Sequence, residues 1–438
     1  MIRRRKTSTG LRRFFGVLFS LMVILGLVVV AAGAVRYGGP LGLWRRVQAE
    51  VAARQPHPQH VPTPLTVSAP VQAVALAQVP SQTLLIRAAA PLRTPTATRQ
   101  PAAAVLLPTV TPTPPLHTPM KAAMELTGFR HQWQTWNNCG PATLAMQLSY
   151  FGSSLDQSVI GQVLRTNPDD KNVNPDELAA YARAQGYEAK VLVNGNIDRL
   201  RLLLSNGLPV LVETWLEDEP NDGMGHYRLL VGYDDRQRHW LAYDSYDRQT
   251  LRNSNGPYRG ITLPYATFDP LWKVFNRTYL LVYPAEQAPL VASIVGDDLD
   301  AQQMWARALN VAQVAVTQQP RDPFAWFNLG STLVALGYPA EAAAAYDQAR
   351  LLGLPWRMLW YQFGPFQAYH AVGRPEEVLA LADATIATTK SVEEVFYWRG
   401  EALAALGDLA SARQAWQYAL QLNPRYADAQ IALDQTNQ

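Results

Sequence analysis

The chain of 438 residues has a single cysteine, Cys139. One thiol excludes an intramolecular disulfide and any cysteine-rich metal site. Charge of one sign is also scarce: the formal net charge is only +3, and most of the excess sits in the first thirteen residues, so a nucleic-acid-binding surface is not expected. Acidic residues are missing altogether from 51 to 120, where many of the 32 prolines gather. The whole chain is 48% apolar and holds twelve tryptophans, as a packed protein should. An unpaired thiol is a liability in an oxidising compartment, so Cys139 in an exported chain needs a reason to be there.

Export is what the N-terminus points to. A basic tail (residues 1–13) carries Arg3, Arg4, Arg5, Lys6, Arg12 and Arg13, and an uncharged apolar run follows from 14 to 35. About 20 such residues suffice to cross a bilayer as a helix. Only Arg36, Arg45 and Arg46 follow closely, so the positive-inside bias puts the tail in the cytoplasm and the body outside. The run exceeds the roughly 7–15 residues of a secretory signal core, which favours an uncleaved single-pass membrane anchor over a signal peptide. Residues 51–120, with runs such as PTVTPTPPLHTP, read as a Pro/Ala/Thr-rich linker. Stretched at about 3.1 Å per residue, it would reach roughly 200 Å.

From 124 to 285 the pattern becomes globular. PATLAMQLSYFG has a helical apolar stripe that stops at Gly152, and further helices are expected over Pro175–Gln185 and Asn196–Leu204. The segments EAKVLV, LPVLVETW, HYRLLVGYD, HWLAYDSY and TYLLVYP read as strands, with DDRQR as a hairpin turn. Helices followed by strands make this an α+β domain. From 300 to 438 the chain is helical and repetitive. Trp326, Leu329, Gly330, Ala342, Tyr346 and Ala349 recur, about two 35-residue periods later, as Phe396, Gly400, Ala412, Trp416, Ala419 and Pro424, and Gly337, Gly373 and Gly407 mark the turns. This resembles the tetratricopeptide repeat, with a middle unit that puts Phe366 where a small residue belongs. Such repeats imply a protein partner.

Cys139 stands just before a helix opened by Gly140 and Pro141. A thiol there feels the helix dipole and unpaired N–H groups, which favour the thiolate and can hold an oxyanion. A thiolate nucleophile needs a base. Of the three histidines in this segment, His226 opens a strand beside a glycine-containing stretch and is the first candidate; His131 and His239 are the others. Asp244, on the neighbouring strand, can orient the imidazole, with Asp247 as rival. The acidic stretch from Glu217 to Gly225 suits a mobile lid.

Cys-Gly-Pro-Ala opening a helix, Gly-His-Tyr entering a strand that ends Val-Gly-Tyr-Asp, and then Tyr-Asp-Ser-Tyr together resemble the bacteriocin-processing (double-glycine) peptidases. The resemblance spans roughly 125–285 and implies a papain-like α+β cysteine peptidase. In it Cys139 would be nucleophile, His226 general base and Asp244 the orienting residue, with a glutamine lining the oxyanion hole. The family places that glutamine six residues before the cysteine. Here Trp133 holds the position, with Gln134 one closer and Gln132 one further, and Gln134 is the candidate. Ser245 follows Asp244 where the family usually has proline. A peptide or protein substrate and no metal or organic cofactor are implied. The alternatives are a cell-surface adaptor of peptidase fold that binds without cleaving, and acyl transfer other than hydrolysis.

Overall fold

A computed structural model describes residues 22–34, 39–40, 43–44, 47–48, 58–68, 116–217, 223–253 and 255–436. Residues 22–34 are helical, exposed from 22 to 32 and half-buried at Gly33 and Ala34. No helix among the described residues is long and apolar enough to cross a membrane. The basic tail and the first part of the apolar run lie outside the described residues.

The globular half is built on one antiparallel sheet in the order β2-β7-β3-β4-β5-β6. Its strands are β2 (Glu188–Leu192), β3 (Val210–Leu216), β4 (Met224–Asp234), β5 (His239–Asp244), β6 (Ile261–Pro264) and β7 (Tyr279–Tyr283). The short β1 (Ala123–Glu125) pairs with the end of β4, beyond the reach of β3. A Cβ on Gly232 would lie 2.2 Å from the Met124 carbonyl oxygen, so β1 can approach only a glycine.

Alternation along β3 and β4 sends side chains to two cores. One face, with Leu211, Tyr227, Leu229 and Val231, is covered by α1 (Cys139–Tyr150) and α3 (Pro175–Ala184). The other, with Val210, Val212, Leu230 and Trp240, is covered by α4 (Ile197–Ser205), α5 (Tyr265–Lys273) and α6 (Ala288–Val295). Helix α2 (Gln157–Leu164) lies beside α1, with Asp156 capping it through Ser158 N and Val159 N.

The repeats follow as α7 (Ala301–Gln318), α8 (Pro323–Ala335), α9 (Pro339–Leu352), α10 (Gly364–Ala371), α11 (Pro375–Ile386), α12 (Glu393–Ala405), α13 (Leu409–Leu422) and α14 (Ala427–Gln435). Within a helical pair the small residue is set by an aromatic ring. A Cβ on Gly400 would lie 2.3 Å from the Trp416 ring, and one on Gly330 lies 2.7 Å from Tyr346. In the middle unit Phe366 is fully buried and stacks on Trp398, and α10 is cut to eight residues.

The two halves share a core. Trp215, Val274 and Phe275 pack with the repeat residues Leu359, Phe327 and Leu333. Around this patch Gln362 donates to the Val274 carbonyl, Asn328 to the Lys273 carbonyl, and Lys273 pairs with Asp322.

A cluster of carboxyl groups also lies at this interface. Glu394 accepts from Asn172 and Asn174 of the sheet domain. Burial holds its pKa well above the usual range, and Glu393 and Asp170 add to this. Burial likewise raises Asp170 and Glu393, and pushes Glu177 up to about 7. Acids raised on folding bind more protons folded than unfolded, so stability falls as pH rises from their unfolded pKa through the folded one. Thermal melting should therefore show a loss of stability between about pH 4.5 and 7. Glu394→Gln should raise the melting temperature at pH 7.5 and flatten that slope.

The linker differs from a free tether at both ends that are described. Residues 58–68 lie on the repeats, with Val61 buried. Near 117 the chain is tied to the sheet domain through His117–Ser293 and Thr118–Asn206 contacts. Nothing in an apolar period marks residues 58–68, because they are held almost wholly through their backbone.

Candidate active site

Cys139 is the first residue of α1. The preceding Asn138 makes no side-chain cap bond to the helix; its amide instead donates to Gln157 and its oxygen accepts from Arg165. The N–H groups of the first turn are therefore not capped by Asn138. Pro141 removes one donor that would otherwise need a partner. Gly140 allows the helix start to press on β4, since a Cβ there would sit 3.3 Å from the Tyr227 ring. Thr143 anchors the same contact by donating to the Tyr227 carbonyl.

Strand register assembles the partners of the thiol. β4 and β5 pair Arg228 with Asp244, and β3 and β4 pair Thr214 with His226. His226 and Arg228, two apart, thus share the sheet face that carries Asp244. His226 Nε2 lies 2.9 Å from Asp244 Oδ1, leaving Nδ1 for the Cys139 thiol, with which His226 is hydrogen-bonded. Asp244 is fully buried and well satisfied: Arg228 Nε donates to its Oδ2, and the Tyr246 and Asp247 backbone N–H groups donate to its Oδ1.

The electrostatics run in one direction. Burial opposes ionising Cys139, but the hydrogen bond and charge of His226, with the Tyr227 N–H and Arg165, outweigh it and lower its pKa. Burial alone would neutralise His226; the Asp244 charge and hydrogen bond, together with Cys139, push it up to about 9. Burial likewise opposes ionising Asp244, but His226 and Arg228 hold it below the usual carboxylate range. A lowered thiol beside a raised imidazole shifts the pair toward thiolate and imidazolium.

Cys139, His226 and Asp244 are thus brought together. The rival Asp247 stands 4.0 Å from Arg228 and does not take the imidazole. His131 stacks on Tyr258 and meets the Asp244 carbonyl, and His239 starts β5 opposite Asp234. Gln134 is fixed to Ser245, accepting from its hydroxyl at 2.8 Å and donating its backbone N–H to the Ser245 carbonyl. It is not among the residues lining the cavity at Cys139. Gln132 is tied to the start of α2 through Gln157 N. Of the proposed lid, residues 218–222 lie outside the described residues.

Three further residues belong to this site. Arg228 backs Asp244 and also donates to Thr214. Its place was readable only as two residues after His226 on one strand. Glu213, on β3, lines the cavity; burial, and then the Cys139 charge, raise its pKa well above the usual range. Tyr361, from the repeats, is the third. It lines the cavity with Cys139, Asn137 and Gly225, and its ring sits against Trp215 and Phe275. A neighbouring residue of the same loop, Arg357, donates to the Gly223 carbonyl. The repeat domain therefore supplies one wall of the cleft, which no local motif signals.

Residues 127–276 match the family model described as Peptidase_C39 like family, and 393–426 match the tetratricopeptide repeat. Comparison with curated proteins found no match. Among solved structures, a C39-like peptidase from Bacillus anthracis aligns at 16% identity over 36% of this chain and 96% of its own, with a TM-score of 0.29. The peptidase domain of Streptococcus ComA, a bi-functional ABC transporter, aligns at 14% over 36% and 99%, at 0.28. Xylellain, a cysteine protease from Xylella fastidiosa, aligns at 15% over 38% and 87%, at 0.25. The chain thus joins a Peptidase_C39-like segment to tetratricopeptide repeats.

Proposed function

We propose that the chain is a cysteine peptidase that hydrolyses peptide bonds through Cys139, His226 and Asp244. The observation that carries this reading is the hydrogen-bonded series from thiol to imidazole to a buried carboxylate. The Cys139 thiolate attacks the peptide carbonyl carbon, forming an S–C bond and an oxyanion. First-turn N–H groups of α1 hold that oxyanion, and Gln134 would join them if its amide swings from Ser245. The His226 imidazolium gives its proton to the amine as the C–N bond breaks, leaving a thioester. Water, losing a proton to His226, then attacks the thioester; the C–S bond breaks, the carboxylic acid leaves and the thiolate is restored, while Asp244 keeps the imidazole oriented.

The apolar run from 14 to 35, with its basic flank, supports a single-pass anchor that places this domain outside the cytoplasm. The repeats support recruitment of a protein partner. The test is cleavage of a mixed peptide library by the full-length protein, read by mass spectrometry. Native protein should yield new termini that Cys139→Ala does not. A library left intact by native protein would favour a peptide-binding scaffold instead.

A further inference from the structure

Residues 58–68 cross a groove between α9 and α11, with bends at 59, 61, 65 and 66. Arg350 donates to the Pro62 carbonyl at 2.8 Å and to the Thr63 carbonyl at 3.0 Å. Glu377 accepts from Leu65 N and Thr66 N, and Asp347 accepts from Ser68 N. Arg374 closes the set, donating to the Thr66 carbonyl and the Ser68 hydroxyl. These four charges also pair with one another, Arg350 with Glu377 and Arg374 with Asp347. Nearly every bond goes to peptide backbone. The donors on the segment are Val61, Leu65, Thr66 and Ser68; Pro62 and Pro64 have no N–H to offer and hold the chain extended. Val61 is the one fully buried side chain of the segment. Such a groove selects a proline-spaced peptide with one small apolar anchor.

The same segment grips the loop that walls the cleft. Val61 N donates to the Leu354 carbonyl, and His60 bridges Pro355. Arg357, two residues further on, reaches Gly223 with its guanidinium packed over Trp356 and Trp360, and Tyr361 lines the cavity at Cys139. We propose that the α9–α11 groove is a docking site for Pro/Thr-rich peptides, that residues 58–68 are its resident occupant, and that occupancy holds the 354–361 loop over Cys139. An empty groove frees the loop and opens the cleft. A linker drawn out of the groove would therefore expose the thiol. The regulatory part rests on the peptidase reading; the docking part does not.

The test uses the full-length protein with residues 58–68 replaced by a Gly/Ser segment of equal length, and a fluorescent synthetic peptide of residues 58–68. Iodoacetamide reports on the cleft, since Cys139 is the sole thiol. The replaced chain should bind the peptide at least about tenfold more tightly than native protein, whose own segment competes at high effective concentration. It should be alkylated at least about tenfold faster at fixed pH, and saturating peptide should restore the slow rate. A peptide carrying Val61→Asp should neither bind nor slow alkylation. Full-length Val61→Asp is the second variant, which changes one side chain, should release the segment from the groove as it does the peptide, and should show the same rescue by the free native peptide. Equal binding to native and replaced chains, or binding that leaves the rate unchanged, would overturn the proposal. Failure of the peptidase reading shows differently, as an ordinary pH midpoint for the thiol whatever its rate.

Discussion

His226→Ala is expected to lower peptide hydrolysis by about 10³–10⁴-fold while leaving the fold intact. The imidazole is both the acceptor that keeps Cys139 ionised and the donor to the leaving amine, so its loss removes two steps together. Without it, burial is the dominant influence left on the thiol, and burial favours the neutral form. The effect should appear in kcat more than in KM, because His226 is buried behind Cys139 and offers substrate little surface. Steady-state kinetics on a cleaved library peptide would check this. Asp244→Asn should cost less than His226→Ala, since the imidazole would remain in place with a weaker orienting partner.

Arg350→Ala is expected to destabilise the repeats by about 3 kcal/mol, the low end for breaking a buried ion pair, because Arg374 still reaches Glu377 at 3.0 Å. Arg350 and Glu377 are exposed by only 1% and 2% at their side chains, with N–O 2.7 Å. Removing the guanidinium takes from Glu377 the Arg350 bond to its Oε1 and also frees the carbonyls of Pro62 and Thr63. Urea unfolding at neutral pH should show the lower midpoint. An unchanged midpoint would mean that segment 58–68 and Arg350 add nothing to the stability of the groove.

The site residues that could be read ahead were those whose chemistry is local. Cys139 with Gly140 and Pro141 announces a helix start, and the β4–β5 hairpin brings Asp244 to His226 by simple counting. Elements with a broken signal escaped. Helix α5 carries Pro270 inside it, and α2 spans only eight residues with a glycine in it. The strands β1 and β6 are three and four residues long, too short for alternation to register. Arg228, Glu213 and Tyr361 depend on strand register or on contacts across more than a hundred residues, which periodicity does not carry. Residues 58–68 were hidden for another reason: their binding uses backbone atoms common to any sequence, and prolines that also suit a free tether.

The pH dependence of Cys139 alkylation in full-length protein, beside His226→Ala, tests the thiolate–imidazolium pair most directly. Such a pair gives a midpoint well below the roughly 8.5 of a free thiol, moving upward when His226 is removed. A thiol that titrates normally in both proteins, or stays unreactive in both, would contradict it.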